Sequence, residues 1–200
     1  MHGRQATVSY CLDMIPETAP VYMGYSDHYD GEFLRSTRVK SMFQFPNEPL
    51  SQKWNGCVRS IRNVDFDAVI LLGSDDYFDE SFLDFVKSKV GTFDLLGFTD
   101  LYFEEGWDMY YWAGYDNHRK GEPAGAGKVY SKPFLEKIDY NLFPGSGNHS
   151  LDGISWRKCK SAMANIVTAS LRENGLHLVD VKDGQGMTPL RSIKNITPII

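Results

Sequence analysis

Two hundred residues, 42% of them apolar, are enough chain to bury one full core, and one domain over 1–200 is expected. A formal net charge of −5 excludes a basic footprint for non-specific nucleic-acid binding. Three widely spaced cysteines, Cys11, Cys57 and Cys159, fit neither a disulfide framework nor a zinc site and read as buried, reduced thiols.

No apolar run is long enough for a membrane span and no signal peptide is visible, so the expected location is cytoplasmic. The short basic clusters Arg35–Lys40 and Arg157–Lys160 read as solvated faces.

In chain order, "RQATVSYCLDMI" places Val8, Cys11, Leu12 and Ile15 on one helical stripe. "VYMGYSD" reads as a short strand ending in Asp27, and "VKSMFQF" as a second strand closed by Pro46. "NEPLSQKWNGCVRSIR" is a polar loop running into a helix through Trp54, Val58 and Ile61. "AVILLG" is a continuous aliphatic run of the kind a strand shows when both faces are covered. Asp79 can cap the helix that follows, whose apolar face is Phe82, Phe85, Val86 and Val90. "DLLGFTDLYF" and "MYYWAGY" look like a pair of strands, "KVYS" like another, and "KPFLEKI" like a short helix. Residues 151–172 carry the longest helical pattern, and "LHLVDV" gives a last strand before a polar tail.

Alternating strands and helices predict an α/β fold with a mixed, mostly parallel sheet and crossover connections. Such a sheet normally begins with a strand, whereas this chain begins with a helix. The expectation is therefore a permuted sheet or a first strand lying before Met1.

The aliphatic run of "AVILLGSDD" ends in two adjacent carboxylates, Asp75 and Asp76. Open α/β sheets bind ligands beyond the carboxyl ends of their strands. Adjacent carboxylates disfavour each other's ionised forms unless a cation neutralises them. Mg²⁺ or Mn²⁺ suits such oxygen ligands and completes its shell with phosphate oxygens, which points to a nucleotide diphosphate. A turn and helix cap is the competing reading of the same acids.

Four stretches, "PNEPLSQKWN" (46–55), "LLGSDD" (71–76), "RKGEPAGAGKVYS" (119–131) and "NHSLD" (148–152), occur in an order that resembles the GT-A glycosyltransferases. The likeness is to small bacterial and phage members akin to glycosyltransferase family 2. It implies a nucleotide-diphospho-sugar donor, UDP-linked by expectation, a Mn²⁺ or Mg²⁺ ion, and a hydroxyl acceptor such as a glycan, a lipid-linked sugar or a modified DNA base. Carried over, Asp76 would bind the metal and Asp75 the metal or ribose. Ser74 stands at the first position of the family's Asp-x-Asp and would face the nucleotide. Lys53 and Asn55 would line the nucleotide pocket, Asp27 would meet base or ribose, and Arg4 would lie near the nucleotide.

Gly127-Lys128 does not complete a P-loop, because Glu122 stands where the first glycine is required and Val129 replaces the Ser or Thr. Gly125, Ala126 and Gly127 are small enough to let backbone approach a substrate. In the resemblance this segment faces the donor sugar, with Glu122 accepting from its hydroxyls. A tight β-turn is the other reading.

Asp152 opens a helix, where the dipole favours a carboxylate. Capping is one role; in inverting members of the family the general base stands here. His149 and His177 are possible third metal ligands, and Trp112 and Tyr115 could stack an acceptor. Two other functions stay open: a nucleotidyltransferase on a similar sheet, and a catalytically inactive nucleotide-sugar-binding module.

Overall fold

A computed structural model describes residues 4–186 and 188–199. The expected strand ahead of Met1 lies outside them. Helix α1 (Gln5–Met14) buries Val8, Cys11 and Leu12, the stripe read from the sequence. Strands β1 (Tyr22–Tyr25) and β2 (Ser41–Gln44) pair in parallel, joined through α2 (His28–Arg35). Helix α3 (Leu50–Ser60) then leads to β3 (Ala68–Leu71).

The aliphatic run of β3 is explained by its two faces. Ala68, Ile70 and Leu72 join Cys11 and Ile15 in one apolar cluster, while Val69 and Leu71 join Trp54 and Val58 of α3 in another. Side chains alternate across a strand, so both faces must be apolar. β3 is nonetheless only half-buried, because it is an edge strand.

Further along lie β4 (Asp76–Phe78), α4 (Glu80–Lys89), β5 (Leu95–Phe98), β6 (Leu101–Glu105) and β7 (Asp108–Trp112). They are followed by β8 (Lys128–Ser131), α5 (Lys132–Lys137), α6 (Leu151–Ser161), β9 (Ile166–Ala169), β10 (Leu178–Val181) and β11 (Ile196–Ile199). Asp79 caps α4 as expected, accepting from the Phe82 amide at 3.1 Å.

Two larger sheets result, ordered β3-β8-β5-β9 and β11-β7-β6-β10-β4. The mixed α/β architecture is as read, with a larger antiparallel share because β8 enters against both β3 and β5. Among the described residues, no helix is long and apolar enough to cross a membrane.

Three departures have local causes. "DLLGFTDLYF" is two strands in different sheets, divided at Thr99-Asp100. The pattern over 151–172 is not one helix: α6 stops at Ser161, Met163 takes a left-handed φ of 52°, and the β-branched Ile166–Ala169 pair with β5. The polar tail contributes a strand, β11, antiparallel to β7.

β3, β5 and β9 run in one direction, and the chain leaves the carboxyl end of each to enter the other sheet. These three crossings form a seam. Asp100 pins two of them, accepting from Tyr111 OH at 2.9 Å, Ser170 Oγ at 2.7 Å and the amides of Leu171 and Arg172 at 2.6 and 3.1 Å. It is 2% exposed, so removing it orphans the buried Leu171 amide and frees the partly buried Arg172 amide. Asp100→Ala is expected to cost about 3 kcal/mol, read as a lower urea midpoint at unchanged m-value.

Candidate functional site

The third crossing, from β3 to β4, carries the acid pair. Gly73 permits the turn: a Cβ there would stand 2.6 Å from Asp75 Oδ1 and 3.0 Å from Asp76 Oδ2. Both carboxylates therefore fold back over the backbone, and the Gly73 amide donates to Asp76 Oδ2 at 2.5 Å. Ser74 and Asp75 form the turn, and Asp76 opens β4.

β10 brings a third acid. Asp180 is the antiparallel register partner of Asp76, and the Val181 amide donates to Asp75 O at 2.7 Å. Directly opposed residues on such a pair share a face. Burial, with the charges of Asp180 and Asp75, drives the Asp76 carboxyl well above its ordinary pKa. Burial likewise raises Asp180, against the opposing charge of Lys182. Lys182 Nζ lies 2.7 Å from Asp180 Oδ2, while Asp180 Oδ1 is buried without a hydrogen-bond partner.

Arg4, expected near the nucleotide, lies against Asp75. Its guanidinium donates to Asp75 Oδ2 at 3.0 Å and Asp183 Oδ2 at 2.7 Å. Three carboxylates at the seam thus meet two cations, one from each end of the chain. Among the described residues, no three His, Cys, Asp or Glu side chains are set to hold a metal ion together.

A second cluster surrounds Asp152 at the start of α6. Arg119 donates to Asp152 Oδ2 at 2.5 Å and to Glu122 Oε2 at 2.7 Å, its guanidinium lying 3.9 Å from the centre of the Tyr115 ring. Tyr115 OH donates to the same Asp152 oxygen at 3.2 Å. Burial pushes the Asp152 carboxyl up, but the Arg119 hydrogen bond and charge outweigh it and hold the pKa below the ordinary value. Asp152 does not cap its own helix: the N-cap is Ser150, with no side-chain bond.

Beneath lies Lys128, 2% exposed, donating to Asp152 O at 2.7 Å and Ser155 Oγ at 3.2 Å. Burial lowers its pKa to about 8.

The small residues of "PAGAGK" lie between the clusters. A Cβ on Gly125 would come 3.3 Å from Asp152 Cβ, and Gly127 has φ 69° with Leu178 2.3 Å from any added Cβ. A cavity of about 430 Å³ is lined by Asp180 and Lys182 of the first cluster and Tyr115 of the second, together with Gly125 and Ala126.

Other expected residues lie elsewhere. Asp27 caps α2, accepting from the Asp30 amide at 2.9 Å. Lys53 donates to Ser26 Oγ at 2.7 Å, and burial lowers its pKa. Asn55 donates to Asn141 Oδ1 and Phe143 O and accepts from the Phe143 amide, so its amide group anchors the 141–143 loop. Lys53 and Asn55 line a separate cavity of about 410 Å³ that shares no lining residue with the first. His177 pairs with Asp79 at 2.8 Å, and His149 is exposed.

Sequence reasoning missed Asp180, Lys182, Arg119 and Lys128 as site members. The available signal was charge inside strands: "LVDVK" and "GKVYS" each set an ionisable residue in apolar company.

No family model matches the sequence, and no curated protein resembles it significantly. Solved structures resemble the chain in backbone trace. A CMP:2-keto-3-deoxy-manno-octonic acid synthetase complexed with CTP superposes with TM-score 0.51 at 14% identity, over 92% of this chain and 81% of that one. HddC from Yersinia pseudotuberculosis reaches 0.46 at 14% identity over 88% and 78%. S. aureus TarS 1-349 reaches 0.46 at 14% identity over 84% and 59%. The first likeness establishes a shared α/β fold.

Two outcomes follow from the electrostatics. Arg119→Ala removes the group that holds Asp152 down, so Asp152 titrates at higher pH than in the wild type, followed by carboxyl NMR. For Lys128, the unfolded chain keeps its proton to about the ordinary 10.5 while the folded chain loses it near 8. Over that window the unfolded state binds more protons, so stability rises with pH. Urea denaturation should show the rise in the wild type and its loss in Lys128→Met.

Proposed function

We propose that the chain is a nucleotide-sugar transferase: it binds a nucleotide-diphospho-sugar, UDP-linked in the first instance, and passes the sugar to a hydroxyl acceptor with inversion. The observation that carries this reading is the meeting of Asp75, Asp76 and Asp180 beyond the carboxyl end of β3, with one buried Asp180 oxygen left without a partner. The resemblance of the four sequence stretches to GT-A enzymes supports it. So does the CTP-bound synthetase, which holds a nucleotide on this fold.

The residues fit a divalent cation. Asp76, whose ionised form its surroundings disfavour, and the orphaned Asp180 oxygen are both relieved by positive charge. Asp75 and Asp76 would hold Mg²⁺ or Mn²⁺. Bound there, the ion supplies neutralisation of the charge that develops on the diphosphate. Arg4 and Lys182 provide two further cations for phosphate oxygens.

At the other end, the low pKa of Asp152 keeps it ionised at neutral pH, and Tyr115 and Arg119 fix its orientation. The acceptor oxygen attacks the anomeric carbon, and its proton passes to Asp152. The bond from that carbon to the phosphate oxygen breaks, and the diphosphate leaves with the electron pair. Glu122 and the backbone of Gly125–Gly127 face the sugar. Ser74 is assigned to the nucleotide side of the turn, while Asp27, which caps α2, and Lys53, which lines the separate cavity, are given no role here.

A second reading, nucleotidyl transfer, is favoured by the fold likeness to the CTP-bound synthetase. There a sugar oxygen attacks the α-phosphate and pyrophosphate leaves. Incubation with nucleotide sugars, and separately with nucleoside triphosphates plus sugars, each with Mn²⁺, separates the two by product. Release of nucleoside diphosphate is expected. Pyrophosphate in its place establishes the second reading, and metal-dependent binding without turnover marks an inactive binding module. Asp76→Ala is expected to abolish metal-dependent nucleotide binding. Asp152→Ala should bind normally and lose turnover by about 10²-fold or more; undiminished turnover removes Asp152 as base.

A further inference from the structure

The cavity of about 430 Å³, which takes Asp180 and Lys182 from one cluster and Tyr115 from the other, has a composition of its own. Its floor is apolar: Leu101, Phe103 and Trp112 line it, and Trp112 meets Tyr115 edge-on with ring centroids 4.8 Å apart. Its lip is polar and exposed, with Asp116 on one side and Ser192, Lys194 and Asn195 on the other.

The second side of the lip is held by a strand. β11 pairs with β7 so that Ile196 stands opposite Trp112, and Asn195, with a left-handed φ of 60°, turns the chain just before that pair. The segment before β11 is thereby fixed as a wall over the aromatic floor.

This combination selects a chemical class. A ring with an apolar C–H face and a polar hydroxyl edge matches an aromatic floor and a hydrogen-bonding lip. The ionised lining, Asp116 and Asp180 against Lys182 and Lys194, is balanced in charge, which suits a neutral ring better than a second phosphate. The volume lies within the range of small-molecule sites.

We infer that this cavity seats the pyranose ring of the substrate. The ring packs on Trp112 and Tyr115, its hydroxyls meet Asp116, Lys194 and Asn195, and its phosphate-bearing carbon points to Asp180 and Lys182. The inference rests on the reading that the acid cluster takes the diphosphate of a sugar nucleotide. It holds equally for glycosyl and nucleotidyl transfer, since both need a sugar beside the phosphates. Asp116 and Lys194 are then the residues that choose among sugars.

Saturation-transfer NMR on the full chain with Mg²⁺ tests it. The probes are a panel of methyl pyranosides (gluco, galacto, manno, 2-acetamido and glucuronide) and, separately, UDP. Ring protons of at least one pyranoside should receive saturation. Ser192→Trp, which places a bulky ring at the exposed lip, should weaken that binding on the order of tenfold and leave the UDP signal intact. Asp116→Asn, an exposed and conservative change, should alter the order of preference within the panel.

The cavity assignment is overturned if UDP binds and no pyranoside does. It is equally overturned if Ser192→Trp, with unchanged circular dichroism, removes UDP alone, removes both ligands or spares the pyranoside. A pyranoside that binds as described while UDP does not bind leaves the cavity assignment standing and removes the nucleotide reading.

Discussion

Three carboxylates placed within the low-dielectric seam between two sheets are the constraint around which this molecule is arranged. Asp75 and Asp76 arrive by the turn after β3, and Asp180 by the cross-strand register of β10 with β4. Burial and the neighbouring charges raise the pKa of Asp76 and Asp180, and the chain sets Arg4 and Lys182 against the cluster. Arg4 precedes α1 and also binds Asp183, so the neutralising contact ties the start of the described chain to the segment after β10. Thr7 adds a bond of 2.7 Å to the same Asp183 oxygen. The electrostatics of the site and the closure of the fold are thus one arrangement.

The seam also explains why two charged clusters stand on either side of one cavity. The chain crosses between sheets beyond β3, β5 and β9, then returns from β7 to β8 through residues 113–127. The outgoing crossings carry Asp75, Asp76 and Asp100; the return carries Tyr115, Arg119, Glu122 and the small residues before Lys128. Asp100 pins two crossings in place, and the third carries the acid pair. Opposite charges are used differently on the two sides. Near β10 the carboxylates outnumber the partners that satisfy them, whereas Asp152 is oversupplied, with Arg119, Tyr115 and the Gly153 amide all favouring its ionised form.

Much of this was legible in the sequence where the signal is local. The aliphatic run of β3, the Asp79 cap, the α1 stripe and the acid tip each follow from neighbouring residues. The contact of Arg4 with Asp75 was not legible, because the two lie 71 residues apart in the chain. What escaped depends on register. Asp180 looks like one charge in an apolar strand, and only its pairing with Asp76 makes it part of the site. β4 is three residues after a turn, too short for alternation to show. The helical reading of 151–172 failed because Ile166, Val167 and Thr168 suit either period, and the left-handed Met163 that ends the helical stretch has no glycine to announce it. β11 was missed in a tail read as polar: Ile196, Thr197 and Ile199 are β-branched, but Pro198 interrupts the run and only the pairing with β7 reveals the strand.

The central claim is that the acid cluster exchanges its internal cations for a divalent ion and a diphosphate. Anomalous diffraction from crystals soaked with Mn²⁺ and UDP tests this most directly. The account predicts a manganese peak at Asp75 and Asp76, with UDP phosphates beside it and Arg4 or Lys182 turned toward them. A manganese-free cluster, with Arg4 still on Asp75 and Lys182 still on Asp180 in crystals that bind UDP elsewhere, would contradict it.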